Sequence, residues 1–388
     1  MGSPSALRKL NDRAALFALL ESGPLSRQDL ESSISVSRPA AAELLRRLEV
    51  SGLARRAGHR PGVRGPQAQL WAINERAAFA AGINVTESGI DAVIAGLNGD
   101  PIGESKVVIG RGDDPMPALK KVLTSAARRA HLRRSDVRQV VIGISGSVDP
   151  ETGELSHADH IPEWNGFDVQ GRVSRLLGVP VAVENDVKLV LRDESLRGHA
   201  VGSNDVLLLW MGQGIAIAVI ADGRLQRGFR GSSGEVGYVP IGTDGVTAGD
   251  LLSTAGVLKL AEKHGLPASD AVAVLEQARS STAHSAGDDS FLSEFADQIA
   301  DVLASPVALI DPELIILAGD IGTAGGDELA DRTKVRLHEL LMHRPRVVAG
   351  TGYDNSVRQG ALDEALRRLR DDVFEDAREH REAPAQLH

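Results

Sequence analysis

The sequence predicts an α/β protein in which a small N-terminal winged helix-turn-helix domain, here called the head, is followed by a two-lobed body built from a duplicated unit. Three observations support this prediction. Residues 1–77 are basic and have a helical pattern, the remainder is acidic and alternates strands with helices, and two stretches of that remainder repeat one strand-turn-strand plan. The length of 388 residues also exceeds what one hydrophobic core usually supports.

The charge distribution divides the chain. Residues 1–77 contain 12 Lys and Arg against 7 Asp and Glu, whereas the remaining residues contain 31 against 46. A basic segment joined to an acidic one indicates that the first meets a polyanion such as double-stranded DNA. The sequence has no cysteine, which excludes disulfides and thiolate metal sites, and it shows no secretory or membrane-spanning pattern. We therefore expect a cytoplasmic protein without a membrane partner.

Residues 24–53 have the pattern of two short helices joined by a tight turn. Ser26 is placed to cap the first helix, with Asp29 three residues on as a capping box. Ser37 is placed to cap the second helix, and Pro39 suits its first turn. One face of the second helix is apolar, through Ala41, Leu44, Leu45 and Leu48. This order predicts a recognition helix whose N-terminal end stays free for base edges.

A basic loop between strand-like residues follows, as in the wing of a winged helix. The alternative is a small helical domain with a solvated basic loop. We favour DNA binding because cap, apolar stripe, turn and basic wing occur in one order. The predicted DNA-contacting residues are Ser37, Arg38, Arg46, Arg47, Arg55, Arg56, Arg60 and Arg64.

The pattern changes from helical to alternating after Ala78. Segment 79–109 predicts three strands, the last two joined by a hairpin turn at Asn98–Gly99. Segment 206–229 repeats that plan with Asp222–Gly223 at the turn, which indicates an internal duplication. Helices and strands after each meander complete two α/β lobes with a cleft between them.

The domain boundaries follow from these changes of pattern. We place the DNA-binding domain at residues 1–77, the first lobe at 78–185 and the second lobe at 186–355. A C-terminal helix at about 356–375 returns to the first lobe. Residues 376–388 are highly charged, and we expect a disordered tail there.

Several motifs resemble those of a known family. They are RGPQAQLWAIN (64–74), GISGSVDPETGEL (143–155), IPEWNGFDV (161–169), PVAVENDV (180–187), GQGIAIAVIADGRLQRGFRGSSGEVGY (212–238) and LIILAGDIG (314–322). In this order they resemble the ROK family of repressors and sugar kinases, within the sugar kinase, Hsp70 and actin superfamily. The resemblance implies an actin-like, sugar-kinase fold of two lobes. A DNA-binding head on such a body is the arrangement of the family's transcriptional regulators.

The resemblance also implies a carbohydrate site. Asp186 matches the family's catalytic base, and Asn185 matches its sugar-binding partner. The full set of implied ligand-binding residues is His160, Asn185, Asp186, Glu235, Tyr238 and Asp250. The residues alone leave a second interpretation open, because Asn and Asp after a buried strand also favour the cap of the next helix.

The phosphate-binding elements of the kinases are degenerate in this sequence. Asn84 stands where they have an acid, and the turn Gly212–Gly214 is followed by Ala216 and Ala218 in place of glycines. Alanine at a positive φ costs roughly 1–2 kcal/mol. The zinc element of many relatives lacks its histidine and all cysteines here. We therefore expect no kinase activity, with Asp186 a vestigial base, and no metal or other cofactor.

The leading hypothesis is a transcriptional regulator, expected to be a repressor, that binds operator DNA and senses a sugar or related metabolite through a non-catalytic body. We expect a homodimer or homotetramer. The alternative from a different class is a sugar kinase that phosphorylates a hexose with ATP. A third hypothesis is a constitutive DNA binder whose body only oligomerises.

Overall fold

The chain is represented by a computed structural model. It describes residues 4–60, 67–110, 114–158, 161, 164–267, 269–280, 286–352 and 355–376. Arg64, His160 and the predicted tail from residue 377 onward lie outside these ranges. The described chain folds into a head of helices and a three-stranded sheet, followed by two five-stranded mixed sheets with flanking helices.

The head combines three helices with a small antiparallel sheet. Its elements are α1 (Pro4–Ser22), β1 (Leu25–Ser26), α2 (Arg27–Ser33), α3 (Arg38–Val50), β2 (Ala54–Arg60) and β3 (Ala68–Ile73), with strand order β1-β3-β2. The predicted capping box forms at α2, since Ser26 Oγ accepts from the Asp29 amide at 3.3 Å and Asp29 Oδ2 accepts from the Ser26 amide at 2.8 Å. Ser37 occupies the N-cap position of α3, but its hydroxyl makes no capping hydrogen bond to the helix, which corrects the prediction.

The two sheets of the body have the same plan. The first sheet has the order β10-β7-β4-β5-β6 and the second has the order β15-β14-β11-β12-β13. In each, the first strand along the chain lies at the centre, pairs antiparallel with the next strand and pairs parallel with a later one. The strands of the first sheet are β4 (Phe79–Thr86), β5 (Gly89–Gly96), β6 (Pro101–Val108), β7 (Val137–Ile144) and β10 (Val181–Asn185). Those of the second are β11 (Val206–Met211), β12 (Ile215–Ala221), β13 (Arg224–Leu225), β14 (Leu314–Ala318) and β15 (Arg346–Ala349). The predicted duplication is therefore visible in the strand order.

Both predicted hairpin turns occupy equivalent positions in the two sheets. Gly99, between β5 and β6, has a φ of 93°. Asp222 and Gly223, between β12 and β13, have φ of 51° and 69°. Two successive positive φ values are those of a type I′ turn, which Asp-Gly favours.

Helices cover both body sheets, and a short hairpin projects from the first. The hairpin is β8 (Ser147–Val148) with β9 (Leu155–Ser156). The helices are α4 (Pro115–Arg129), α5 (Val169–Leu177), α6 (Asp186–Arg197), α7 (Ala248–Leu252), α8 (Thr254–Lys263), α9 (Ala271–Ser280), α10 (Ala286–Ile310), α11 (Gly319–Leu340) and α12 (Ser356–Asp376). The sequence pattern did not identify α11, because its first turns are rich in glycine, and Gly326 interrupts it with a φ of 60°.

The C-terminal helix α12 returns to the first sheet and also meets the head. A Cβ at Gly82 of β4 would lie 2.4 Å from the Leu362 amide nitrogen, so the glycine allows α12 to lie directly on the strand. On its other side, α12 packs on α1, where the Phe17 and Phe374 rings meet edge to face with centroids 5.5 Å apart. Leucines of α1, α2 and α3 share one buried core with α12 and the first sheet. The head is thus packed on the body through α12.

Candidate functional site

The exposed surface of the head carries most of the arginines predicted to contact DNA. Arg38 is the first residue of α3, and both it and Ser37 are exposed. Four other arginines each form an ion pair with a carboxylate of the head and remain 49–64% exposed: Arg46 with Glu43 (2.7 Å), Arg55 with Glu75 (2.9 Å), Arg56 with Glu49 (2.8 Å) and Arg60 with Asp29 (2.9 Å). Exposed pairs of this kind contribute roughly 0–1 kcal/mol, so a phosphate group can replace the carboxylate.

Arg47 differs from the other predicted DNA contacts. Its side chain is only 19% exposed, and its Nη2 lies 2.5 Å from Oδ1 of Asp12 on α1. The sequence analysis did not identify α1 as a helix of the head, so this partner was missed. Arg47 therefore fixes α3 against α1 and does not present a free cation on the surface.

The predicted sugar-binding dyad lies where β10 passes into α6. Asn185 is 7% exposed and caps α6, since its Oδ1 accepts from the Lys188 amide at 3.1 Å. Its Nδ2 donates to the Gly146 carbonyl at 3.0 Å, which ties the cap to the end of β7. Asp186 is the first residue of α6 and is partly exposed. The helix-capping interpretation therefore holds for Asn185, and Asp186 remains accessible beside it.

The loop of residues 226–237, which follows β13 of the second sheet, packs against the β8–β9 hairpin of the first lobe. A Cβ at Gly231, whose φ is 76°, would lie 2.1 Å from the Val148 carbonyl oxygen, so glycine is needed for this approach. Ser147 Oγ donates to Glu235 Oε1 at 3.0 Å across the same junction. The loop thus brings Glu235 from the second lobe to the first.

Lys188, which the sequence analysis missed, lies at the centre of this junction. It is 2% exposed, and its Nζ donates to the Gly231 carbonyl at 2.5 Å. Burial lowers the pKa of Lys188, while the negative charges of Glu184, Glu235 and Asp186 act in the opposite direction. The predicted ligand carboxylates Asp186 and Glu235 therefore both act electrostatically on one buried ammonium group. The only sequence signal is a lysine inside the apolar run VKLVL.

A surface cavity of about 440 Å³ opens beside the junction. Its lining comes from the β8–β9 hairpin, the segment after it and the loop 226–237: Asp149, Thr152, Glu154, Leu155, Ser156, His157, Asn165, Gly166, Arg230 and Ser232. Arg230 and Asp149 form an ion pair at 3.3 Å in this lining. Most of the lining residues carry hydrogen-bonding side chains, which suits a ligand rich in hydroxyl groups.

The remaining predicted ligand residues are distributed around this region. Tyr238 is 60% exposed, and its ring lies 6.1 Å from that of His157, a residue the sequence analysis did not select. The predicted His160 lies outside the described residues. Asp250 is the third residue of α7 and completes a capping box with the N-cap residue Thr247: its Oδ2 accepts from the Thr247 amide at 2.9 Å and from the Thr247 hydroxyl at 2.8 Å. These hydrogen bonds lower the pKa of Asp250.

An ion pair between β5 and α12 lies next to Asn84, on the hairpin that the resemblance aligns with the first phosphate-binding turn of the kinases. Asn84 Nδ2 donates to Asp91 Oδ2 at 3.2 Å across β4 and β5, and Asp91 Oδ1 lies 3.3 Å from Arg358 Nε of α12. Burial raises the pKa of Asp91, and the charge of Arg358 opposes that rise. Arg358 also reaches Glu104 at 3.2 Å. A guanidinium between two carboxylates thus lies beside Asn84.

The second turn differs from the sequence-based prediction in the backbone conformation of the two alanines that follow it. Ala216 and Ala218 lie in regular strand β12, paired with Trp210 and Leu208 of β11, and neither has a positive φ. The predicted strain at these alanines is therefore wrong. The turn itself is formed as predicted, with the Gly212 amide donating to the Gly214 carbonyl at 3.2 Å. A Cβ at Gly212 would lie 3.3 Å from Trp210 Nε1, which places the indole beside the turn.

In the described ranges, no group of three or more His, Cys, Asp or Glu side chains is arranged to hold a metal ion. Among the described helices, none combines the length and apolar character needed to cross a bilayer.

Comparison with known proteins identifies the family of this two-lobed body. The sequence profile of the ROK family matches residues 80–366. The chain belongs to the ROK family. The matched region covers both body sheets and ends inside α12, while the head lies outside it.

Relatives of this ROK protein include both kinases and regulators. A glucokinase of Halalkalibacterium halodurans is 25% identical over 58% of this chain and 72% of its own length. A xylose repressor of Bacillus spizizenii is 23% identical over 62% of this chain and 62% of its own length, which is less than two thirds. Among solved structures, a ROK family transcriptional regulator described as a homologue of the E. coli MLC protein matches with a TM-score of 0.76 and 16% identity. That match covers 96% of this chain and 98% of the regulator.

Proposed function

We propose that this ROK protein is a DNA-binding transcriptional repressor whose body senses a carbohydrate or a related metabolite. The observation that carries the proposal is the extent of the fold likeness to a ROK regulator. It covers 96% of the chain and so includes most of the head, which the family profile leaves out. The order of α2, tight turn, α3 and a β2–β3 hairpin supports a winged helix-turn-helix in that head.

The exposed arginines of the head supply the chemistry for duplex recognition. Arg38 begins α3, where a recognition helix presents its first residues to base edges in the major groove. Arg56 and Arg60 stand on β2, the strand that leads into the basic loop, and suit phosphate contacts. A phosphate can replace their carboxylate partners Glu49 and Asp29, because both arginines keep half or more of their side chains exposed.

The body is proposed to bind a ligand without transferring phosphate. Phosphoryl transfer needs a base, cradled phosphates and a metal ion that spreads the charge. Asp186 can provide the base. Asn84 offers no carboxylate at the first turn, its neighbour Asp91 is paired with Arg358, and the indole of Trp210 lies beside the second turn. These contacts support sensing over catalysis.

The decisive experiment is selection of DNA by the full-length protein. Duplexes from a random double-stranded library should be enriched to a common sequence, and the dissociation constant for that sequence should lie at about 10⁻⁸–10⁻¹¹ M. A panel of sugars and glycosides is then titrated into protein with and without this duplex. A ligand that weakens DNA binding must itself bind the DNA complex less well by the same factor. If no duplex is enriched above a random pool, the proposal is wrong.

A sugar kinase is the second candidate, and two observations favour it. Asp186 is accessible at the start of α6, and a glucokinase is among the relatives. A coupled assay with ATP, Mg²⁺ and a hexose panel tests it. Turnover that Asp186→Asn abolishes while the fold is kept would reverse the ranking, and turnover at the level of a protein-free blank supports the regulator.

A further inference from the structure

An unbroken series of ion pairs leads from the ligand junction to the head. It begins at Glu184, next to Asn185, and ends at Arg13 of α1. The links are Glu184 Oε2–Arg227 Nε (2.6 Å), Arg227 Nη2–Glu364 Oε1 (3.7 Å), Glu364 Oε1–Arg367 Nη2 (2.7 Å), Arg367 Nη1–Asp371 Oδ2 (3.0 Å) and Asp371 Oδ1–Arg13 Nη2 (2.9 Å). We call this series the α12 ion-pair chain, because Glu364, Arg367 and Asp371 occupy successive turns of that helix.

The centre of the chain is buried. The Glu364 side chain is 2% exposed and is approached by arginines from α6, from the loop 226–237 and from α12 itself: Arg192 (3.3 Å), Arg227 (3.7 Å), Arg367 (2.7 Å) and Arg368 (3.0 Å). Burying a carboxylate among several arginines has a desolvation cost, and apolar residues of similar volume often give a fold that is as stable. Charges retained in such a place can instead specify which of two arrangements the structure adopts.

Arg227 pairs with two carboxylates at once. It stands on the loop 226–237, which also carries Glu235, and it is shared between Glu184 at 2.6 Å and Glu364 at 3.7 Å. A ligand held by Glu235 competes with Ser147 for the Glu235 carboxylate, and so acts on one of the contacts that hold this loop. Movement of the guanidinium from one carboxylate toward the other changes how strongly Glu364 attracts Arg367, because both arginines pair with the same Glu364 oxygen.

The other end of the chain lies one residue from a contact with the recognition helix. Arg13 follows Asp12, and Asp12 binds Arg47 of α3. Arg13 also lies over the Phe17 ring at 5.5 Å, and Phe17 packs on Phe374 of α12. A change in the pairing of Asp371 therefore acts on the same turn of α1 that fixes α3.

We propose that the α12 ion-pair chain couples ligand binding in the body to the orientation of α3, with Arg227 as its ligand-sensitive end and Arg13 as its head-side end. This inference rests on the proposed regulatory function and adds its route of regulation. The shared apolar core between α1 and α12 offers a competing route that needs no charges. Removal of a single charged link interrupts the ion-pair route and leaves the apolar route intact. Coupling between two residues is shown by non-additive effects of their substitutions, and not by their positions alone.

The test is a double-mutant cycle on full-length protein. The probe is the duplex most enriched from the random library, and the readout is its dissociation constant at fixed salt. We expect Arg227→Gln to change that constant by about threefold or more in the wild-type background, and by less than about 1.5-fold once Arg13→Gln has removed the head-side link. Both arginines are partly exposed, so the variants should fold.

Arg133→Gln is the matched control background. Arg133 is an exposed arginine paired with Asp136 at 2.9 Å, and it lies outside the chain. Arg227→Gln should keep its full effect there. An equal effect of Arg227→Gln in the wild-type and Arg13→Gln backgrounds would overturn the proposal, because independent sites add. An absence of effect in every background would overturn it as well.

Failure of the proposed function gives a different result. If no duplex is enriched, amide hydrogen exchange of residues 38–50 replaces DNA as the readout. Arg227→Gln should then alter exchange of α3 in the wild-type protein and leave it unchanged in the Arg13→Gln protein. Such a result supports the coupling and refutes the proposed repressor function. Identical exchange changes in both backgrounds refute the coupling.

Discussion

The head and α12 use the same arginine–carboxylate chemistry in opposite settings. Arg46, Arg55, Arg56 and Arg60 pair with carboxylates on the surface of the head and keep about half or more of their side chains in water. Glu364 of α12 is 2% exposed and is surrounded by arginines. Exposed pairs exchange readily with water or another anion, whereas a buried pair fixes its partners in place. Burial therefore divides these ion pairs into a surface available to phosphates and an internal framework.

The largest expected effect is on the free energy of unfolding, and it comes from removing the charge of Glu364. Burial acts to raise the pKa of Glu364, but the hydrogen bond from Arg367 and the charges of Arg192, Arg367 and Arg368 outweigh it and lower the pKa from 4.5 to about 2. This difference corresponds to a contribution of about 3 kcal/mol to the free energy of unfolding. Because the folded pKa is the lower one, the contribution is complete above about pH 4.5 and is lost as the pH falls toward about 2.

Glu364→Gln should therefore lower the free energy of unfolding by about 3 kcal/mol at pH 7, and the difference from wild type should shrink as the pH is lowered from 4.5. Urea titrations of both proteins between pH 7 and pH 3 measure it. Glu49→Gln, which removes a carboxylate from an exposed pair of the head, is the control. A pH-independent difference for Glu364→Gln would show that the charge of Glu364 does not carry the stabilisation.

The next largest effect concerns the proposed recognition of DNA bases by Arg38. Arg38→Ala should weaken binding to the selected duplex by about 1–3 kcal/mol and leave binding to random duplexes nearly unchanged. Fluorescence anisotropy with both duplexes at one salt concentration measures the two constants. Equal losses on both would assign Arg38 to the phosphate backbone instead of to bases.

The proposed phosphate contacts of Arg60 and Arg64 should give a smaller and broader effect. Arg60→Ala should weaken selected and random duplexes alike and reduce the slope of log affinity against log salt by roughly 1. Arg64→Ala should act in the same way, although Arg64 lies outside the described residues. Arg133→Ala, an exposed arginine of the body, is the matched control and should leave the slope unchanged.

The smallest expected effect comes from a substitution that removes a competing carboxylate from the surface of the head. Glu49→Gln frees Arg56 and should change the free energy of unfolding by less than about 1 kcal/mol. It should also tighten binding to any duplex, because phosphates no longer compete with the carboxylate. Weaker DNA binding in this variant would mean that the pair orients Arg56 for contact, and the division between surface and framework would then fail at this position.

Sequence patterns predicted the parts of this molecule that are local or periodic. The capping box at Ser26, the apolar stripe of α3, the duplicated meanders and the turn at Asp222–Gly223 all follow from short-range rules of spacing and turn chemistry. The helix α11 escaped prediction because its glycines conceal the helical period. The strain assigned to Ala216 and Ala218 was wrong because those residues continue a regular strand.

The site depended on long-range contacts that no single segment reveals. Lys188 is separated by 43 residues from the Gly231 carbonyl that it binds. Arg47 finds Asp12 only because α1 packs beside α3. The arginines around Glu364 come from three different elements, and the spacing of residues along the sequence does not predict that they meet.

The core that the head shares with α12 has a consequence for how such proteins can be rebuilt. A chimera that joins this head to another body after residue 77 would leave the leucines of α1 without Leu366, Leu369 and Phe374, and so would open an apolar face to water. The transferable unit is discontinuous in sequence and consists of the first 77 residues together with the last helix. An exchange of heads between proteins of this architecture should carry both ends of the polypeptide.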